Sequence, residues 1–556
     1  MRATKIIVPL LLCLVLTIIL TYPLLFELGN RIERGDGILN AWIMSWNIHA
    51  FLTQPWDIFN ANIFFPAQKT LLFSENLLGT LPLTLPCYFL GYNPIKTYHL
   101  VIFFGFFLSC YGAYLLSFNL CKDHGMAVIA GILYSFCTYK MTHIWWLQLT
   151  QSQWIPFALL FLHRFFATKD LPNIILFAVF FCWQALSCMY YAVFLSLVTC
   201  FAILYYGFHH RGSFLKRENL IKLAIGFAFI LLILGPIIYQ FGVAKNLYGL
   251  TRSDSEITAG SANVISYWSS PAYNHIWGSL NYNLRPTGVP WEKFNFIGLT
   301  FWGYIIGLIV LSWTKNRTKL LHAWFYFALM FVAILISCGP QLYVGHVLIG
   351  TNPFYYITDL LPGFSFIRVP ARMAIISMLA LALSSSIIFS ELANLAKPLK
   401  IIITLVFLVM VLTDHSYIPI KVTKKQTFSP HSIPQVYQWL KRQPGDFPII
   451  EVPFNQSLWR ETEYMYYSTF HWKKLVNGYS GFLPPNYTAV STQFRHFPSP
   501  EGIEWARINK IRYIIWHKAL GRIDEKKLKE FIDQGKLKLI AAFEQDYVFE
   551  LPSESS

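Results

Sequence analysis

Charge is what this chain has least of. Only 13% of its 556 residues are Asp, Glu, Lys or Arg, against about 25% in ordinary soluble domains. With 55% hydrophobic and 17% aromatic residues and a mean hydropathy of +0.45, that deficit excludes both disorder and a soluble enzyme, and implies a chain mostly dissolved in lipid. Paired cysteines are missing too. The nine cysteines stand at 13, 87, 110, 121, 137, 182, 188, 200 and 338, nearly all inside apolar runs and with no CxxC, so neither a disulfide framework nor a zinc site is encoded. No G-x-x-x-x-G-K-[ST] loop and no G-x-G-x-x-G occurs, so nothing points to a soluble nucleotide. The net charge of +16 is no sign of nucleic acid, because membrane proteins collect Lys and Arg in their cytoplasmic loops.

What is present is a series of apolar runs near residues 6–27, 97–119, 126–144, 153–168, 172–187, 189–207, 221–241, 296–313, 320–338, 371–391 and 399–416. The first is too long for a signal-peptide core and lacks a small-x-small cleavage site, so it reads as a retained span. A cytoplasmic N-terminus puts Lys122, Arg164, Lys169, Lys222 and Lys400 on short inside connections. It leaves three longer, aromatic segments outside, at 28–95, 242–295 and 339–370. The expected fold is mainly α: a polytopic transmembrane helical bundle of about 11 spans over residues 1–416, with interfacial helices in the first external loop. A small C-terminal α/β domain, 417–556, follows outside the membrane. In it the amphipathic stretches 435–441 and 525–534 alternate with strand-like runs at 447–452, 512–516 and 538–543.

The first external loop opens with Arg34-Gly-Asp-Gly37 and a Trp-rich stretch, 38–52. Trp42, Trp46 and Trp56 suit a membrane interface, so this stretch is expected to lie flat on the outer surface. Asp36 stands between two glycines that allow close approach. Its bland use is to cap the helix that begins at Ile38. Glu75, after Ser74, has a similar use in the first turn of a helix, where the dipole favours an acid.

This layout resembles the GT-C superfamily of membrane glycosyltransferases, and more closely its uncharacterised bacterial multi-pass branch. The resemblance is carried by Gly35-Asp-Gly37 with Trp42 and Trp46, by Asn62-Ile-Phe-Phe-Pro66 and by Gln184-Ala-Leu-Ser-Cys-Met-Tyr-Tyr191. Pro362-Gly-Phe-Ser-Phe-Ile-Arg-Val-Pro-Ala-Arg372 and the stretch 471–482 add to it. It implies transfer of a sugar from a polyprenyl-phosphate donor to a glycan, lipid or protein acceptor on the outer face of a bacterial inner membrane. Asp36 would be the base and Glu75 a second acid. A divalent metal at Asp36 is the only cofactor the resemblance offers, and Gly37, standing where a paired acid is commoner, weakens it.

The leaving phosphate of such a reaction needs positive charge. Arg368 and Arg372, four apart, and Lys245 and Arg252 in the preceding external loop are the candidates, and a guanidinium grips phosphate bidentately. Snorkelling to lipid headgroups is the competing use of each. For sugar or acceptor, the candidates are Lys140 and His143 on one face at the outer end of the third span, Trp268, and His471 and Tyr479 in the tail. Bundle hydrogen bonding, an aromatic belt and a plain core with an Asn-Gly turn at 477–478 are the alternatives. Two other functions fit the same outline. One is a transporter or flippase of a lipid-linked saccharide, though almost no charge lies midway through the spans. The other is a non-catalytic scaffold of an envelope polysaccharide assembly complex.

Overall fold

A computed structural model describes residues 2–209, 212, 216–280, 290–312, 317–360, 367–395, 397–420, 427–428 and 433–552, so positions 362–366 of the Pro362 motif lie outside the described residues. The chain divides into two compact units. A helical unit comprises Met1–Glu27, His99–Ile238 and Thr251–Val422; a loop–tail unit comprises Leu28–Tyr98, Tyr239–Leu250 and Thr423–Ser556.

Every apolar run falls on a helix: Arg2–Leu20, Pro94–Cys121, His124–Ser135, Trp154–Thr168, Leu171–Ser187, Met189–His209, Arg217–Tyr248, Gly298–Ser312, Arg317–Ser337, Ala374–Leu395 and Lys400–Asp414. A bilayer core asks for about 20 apolar residues. Among the described residues, four segments meet that by length and composition, Pro94–Cys121, Met189–His209, Arg217–Tyr248 and Pro370–Asn394; Ile7–Leu20, Leu171–Ser187, Gly298–Val310 and Leu321–Ser337 are shorter apolar helices. The expected eleven spans are therefore eleven helices, of which four are long enough. The run at 126–144 shows why. Its helix stops at Ser135, Cys137 is extended (φ −60°, ψ 156°), and a separate short helix, Thr138–Thr142, carries Lys140.

In the helical unit the segment Pro370–Asn394 is the hub, its apolar window wholly buried. Ala380, Ala382 and Ser384 to Ser386 are all inaccessible, because small side chains let neighbouring backbones come close; Ser117 Oγ donates to Ser386 Oγ at 2.7 Å. The helix Gly298–Ser312 is started by an acid from another helix. Asp414 accepts from Leu299 N and Thr300 N at 2.8 Å each and from Thr300 Oγ1 at 2.7 Å, satisfying amides that a helix start leaves open. Gly298, at φ +63°, is required there: a Cβ would stand 2.1 Å from Asp414 Cγ.

In the loop–tail unit five strands form one sheet: β1 Pro448–Val452, β2 Lys474–Leu475, β3 Tyr513–His517, β4 Lys538–Ala542 and β5 Asp546–Glu550. Their order is β2-β1-β3-β5-β4, with β1 parallel to β2 and β3, and β5 antiparallel to β3 and β4. Val436, Tyr437, Leu440, Ile449, Leu475, Ile515 and Val548 form its core. The expected helices and three of these strands are present within a residue or two; β2 and β5 have no clear signal of their own. The division at 416/417 is where the structure differs from expectation, since the first external loop groups with the tail. The cause is main-chain pairing at the sheet edge. Leu475 N donates to Asn62 O (2.9 Å), Phe65 N to Leu475 O (3.0 Å) and Phe64 N to Asn477 O (3.2 Å), so the loop covers an edge that would otherwise present unpaired amides.

His517, buried on β3, donates to both Glu451 Oε2 (2.8 Å) and Asp546 Oδ1 (2.7 Å). Burial alone lowers its pKa, but the two carboxylates outweigh it and push it up to about 9. A histidine with a raised folded pKa stabilises fully below its unfolded value of 6.5 and loses that contribution as pH climbs through the folded value. We therefore predict that the wild-type tail loses thermal stability between pH 6.5 and about 9, and that His517→Gln flattens this slope, measured as melting temperature against pH on the full chain.

Candidate functional site

Asp36 is the first residue of the helix Asp36–Thr53. The N-cap is Gly35, at φ +84° and with no side-chain capping bond, so Asp36 is not the cap expected of it. It stands in the first turn, where the helix dipole stabilises an anion. Tyr479 Oη donates to Asp36 Oδ1 at 3.1 Å; both residues belong to the loop–tail unit. Glu33, three residues upstream, is the acid that sequence reasoning missed. Burial, and then the Asp36 charge, push its pKa up to about 8. Arg34 pairs with Glu463 at 3.2 Å, and Glu463 pairs with Arg460 at 2.8 Å, tying the segment before Asp36 to the helix Leu458–Ser468.

Two motifs that are 400 residues apart in sequence meet behind this point. Asn62 Nδ2 donates to Ser468 Oγ and to Lys473 O. Gly478 packs so closely on Phe64 that a Cβ would approach the ring to 2.8 Å, and its amide donates to Glu461 Oε2 and Tyr487 Oη. Asn477 does not make the expected turn: Glu451 N donates to its Oδ1 and its Nδ2 donates to Glu451 O, extending β1 sideways. Trp42 and Trp46 are 1% and 3% exposed, whereas Trp56 is 99% exposed. The first two are therefore core rather than interfacial residues, Trp46 donating to Ile58 O at 2.7 Å and meeting the Trp472 ring. His471 is buried with its ring parallel to Tyr437. Burial first, and Lys473 second, lower its pKa to about 3, so it is a neutral core residue and not an exposed sugar ligand.

Glu75 follows Ser74, which ends the 3-10 helix Thr70–Phe73 instead of starting a helix. The next residue, Asn76, accepts from Asn47 Nδ2 through its carbonyl at 2.7 Å, and Asn47 lies about three turns along the helix from Asp36. Lys245 is in the last turn of the helix Arg217–Tyr248, not in a loop. Tyr248, one turn on, accepts from Gln68 N and packs on Phe73, so Lys245 accompanies the segment of Glu75 within the loop–tail unit and is separated by unit from Arg252 and Arg368.

In the helical unit the arginines divide into two kinds. Arg372 is engaged by Glu292, Nη2 to Oε1 at 2.6 Å and Nε to Oε2 at 3.3 Å. His143 Nε2 takes Glu292 Oε2 at 3.1 Å, and Tyr190 lies under the guanidinium at 4.8 Å. Burial raises the pKa of Glu292, but Arg372 and His143 more than reverse it and hold the carboxyl below its ordinary range. Glu292 thus takes the fork expected to grip phosphate, and His143 is a satisfied bundle histidine. Lys140 is fully buried and donates to Ser109 Oγ at 2.8 Å. Trp268 stacks on Trp302.

Arg368 and Arg252 are the second kind. Gly260 ends the helix Asp254–Ala259, and a Cβ on it would come within 2.5 Å of Arg368 O; Ala371 N donates to Gly260 O. This close approach brings Arg252 within electrostatic reach of Arg368. Burial first, and Arg368 after it, lower the pKa of Arg252, against the raising effect of Tyr190 and Glu256. Arg252 is itself paired with Glu256, Nη1 to Oε1 at 3.5 Å, so one acid already offsets part of the charge that these two guanidiniums bring together.

For a divalent metal at Asp36, Glu33 is the neighbouring acid. Among the described residues no group of three or more His, Cys, Asp or Glu side chains converges.

A family described as a domain of unknown function, DUF6311, matches residues 42–414. The chain belongs to this family. The DUF6311 chain shares its fold with the arabinofuranosyltransferase AftD from Mycobacteria, at a TM-score of 0.61 and 12% identity over 99% of this chain. It spans 40% of the length of that AftD chain. Weaker likenesses reach the archaeal oligosaccharyltransferase AglB from Archaeoglobus fulgidus (TM-score 0.45, 11% identity, 93% of this chain and 70% of that one) and ArnT from Cupriavidus metallidurans (0.40, 10%, 99% and 98%). No curated protein matches the chain in sequence. The likeness to AftD is one of fold, and four of the described helices are long and apolar enough to cross a membrane.

The two kinds of arginine are separable by experiment. Arg372→Ala should cost about 3–5 kcal/mol, because it leaves the buried Glu292 charge unpaired. Arg368→Ala should stay within about 0.5 kcal/mol of wild type. Denaturation of the two variants beside the wild type checks both.

Proposed function

We propose that this DUF6311 protein is an integral membrane glycosyltransferase. It moves a sugar from a polyprenyl-phosphate donor to an envelope glycan, lipid or protein acceptor on the outer face of a bacterial inner membrane, with the N-terminus inside, eleven helices in the bilayer and the tail outside. The observation that carries this reading is a GT-C fold in which the carboxylate at the start of the first-loop helix is oriented by the Tyr479 hydroxyl.

The chemistry follows from the groups. An acceptor hydroxyl forms a new bond to the anomeric carbon as the bond from that carbon to the phosphate oxygen breaks, and the bonding pair leaves with the phosphate. The proton passes to Asp36, which needs to lie at hydrogen-bond distance from the attacking oxygen. The Tyr479 bond limits the rotation of that carboxylate, so less ordering is left for the reaction step. In the helical unit, Arg252 and Arg368 are the groups for the donor phosphate, whose developing charge a pair of guanidiniums stabilises more in the transition state than in the ground state. A lipid-linked donor also accounts for a chain with no nucleotide-binding loop.

Asp36→Asn should lower kcat by about 10²–10⁴-fold, and Tyr479→Phe by about tenfold or more, both with unchanged protein level. Arg368→Ala should lower kcat for the lipid donor by about 10²-fold and raise KM by less, because the interaction it removes is strongest in the transition state. The measurement is transfer of labelled sugar in membranes from cells expressing each variant, and undiminished transfer by Asp36→Asn overturns the assignment of the base.

A further inference from the structure

The loop–tail unit contains a cavity of about 440 Å³ that the reaction above does not use. We infer that this cavity is a non-catalytic binding site for a neutral mono- or oligosaccharide.

Its volume lies within the range of small-ligand sites, roughly 300–1,000 Å³, and its walls are two aromatic stacks. Tyr437 lies against Tyr467 at 4.7 Å and 12° between planes, and Tyr464 lies against His517 at 5.3 Å and 20°; all four line the cavity. Tyr437, Tyr464 and His517 are buried with their faces against other rings, so the half-buried Tyr467 is the ring that offers a face to the apolar side of a sugar, whose C–H groups bear partial positive charge. Packing also fixes these rings in advance: Tyr437 Oη donates to Glu451 at 2.6 Å and Tyr464 Oη to Pro453 O at 3.2 Å, so little ordering is left for binding.

The polar lining selects against charge. Glu463, Glu544 and Asp546 are opposed by Arg460 and a His517 that is itself held between two carboxylates. The lining thus carries more acid than base and repels phosphates and uronates. Carboxylates and a guanidinium together supply both acceptors and donors for hydroxyl groups, the pattern a polyol satisfies and an apolar ligand does not. Resting on the glycosyltransferase reading above, the site excludes the donor's sugar phosphate and takes the neutral glycan of the acceptor. The rim is open to solvent at Ala519, Glu544 and Gln545, all exposed.

The test uses the full chain in lipid nanodiscs, free of sugar-based detergents. The probes are neutral mono-, di- and trisaccharides of the glucose, galactose, mannose and arabinose series, with glucuronic acid as the charged counterpart, read by saturation-transfer NMR and calorimetry. At least one neutral saccharide should bind, glucuronic acid should bind at least tenfold more weakly, and Asp36→Asn should bind as the wild type does. Tyr467→Ala and, as a variant that only fills the exposed rim, Ala519→Trp should each weaken binding at least tenfold. Absence of binding by every neutral probe, equal binding of glucuronic acid, or undiminished binding by a well-folded Ala519→Trp overturns the proposal. Loss of binding in Asp36→Asn overturns its separation from the reacting acid.

Discussion

Three main-chain hydrogen bonds, from Leu475 N to Asn62 O, Phe65 N to Leu475 O and Phe64 N to Asn477 O, join the segment that follows the first helix to the tail. They make residues 62–65 a sixth line of chain along the edge of the tail's sheet, and they hold the segment 471–482 against the loop. Tyr479 sits in that segment and Asp36 begins the loop's long helix, so their hydrogen bond is a consequence of sheet-edge pairing as much as of the two side chains. The backbone amides have to be paired somewhere once they leave water, and pairing them here is what joins the motifs into one unit.

The second constraint is the cost of charge in a dry interior. The buried charges of the helical unit are met in different ways: Lys140 donates to Ser109 and Asp414 accepts from Leu299 and Thr300. Arg372, Glu292 and His143 form a closed set, in which removing one partner leaves an uncompensated charge. Arg252 and Arg368 are positioned by a glycine contact between two loops and repel each other. Arg252 differs from Arg372 in degree: its pair with Glu256 is longer, at 3.5 Å, against 2.6 Å for Arg372 and Glu292. Near Asp36 the same cost works on a carboxyl: burial and the Asp36 charge raise the pKa of Glu33.

Much of this was legible in the sequence. Apolar runs mark all eleven helices, since lipid and core ask for the same residues, and the amphipathic stretches of the tail mark its helices and three of its strands. The unreadable part is whatever depends on contacts distant in sequence. Trp42 and Trp46 read as interfacial because their rings suit that depth, yet Trp472 and Ile58 bury Trp46. Arg372 looked equivalent to Arg368 because spacing says nothing of Glu292, eighty residues earlier. Glu33 gave no signal, because its raised pKa comes from burial by neighbours. Lys245 was assigned to a loop because hydropathy does not show that its helix continues to Tyr248. Helix lengths also depart from run lengths, as at Cys137, where one extended residue divides a single apolar run.

The most direct test of the account is turnover of a lipid-linked donor by the purified chain. The full protein in nanodiscs is given a polyprenyl phosphate carrying an isotopically labelled sugar together with a membrane acceptor fraction, and mass spectrometry follows both halves of the donor. The account predicts that polyprenyl phosphate appears in step with labelled acceptor. A donor that stays intact, or that crosses the bilayer with its sugar still attached, would contradict it.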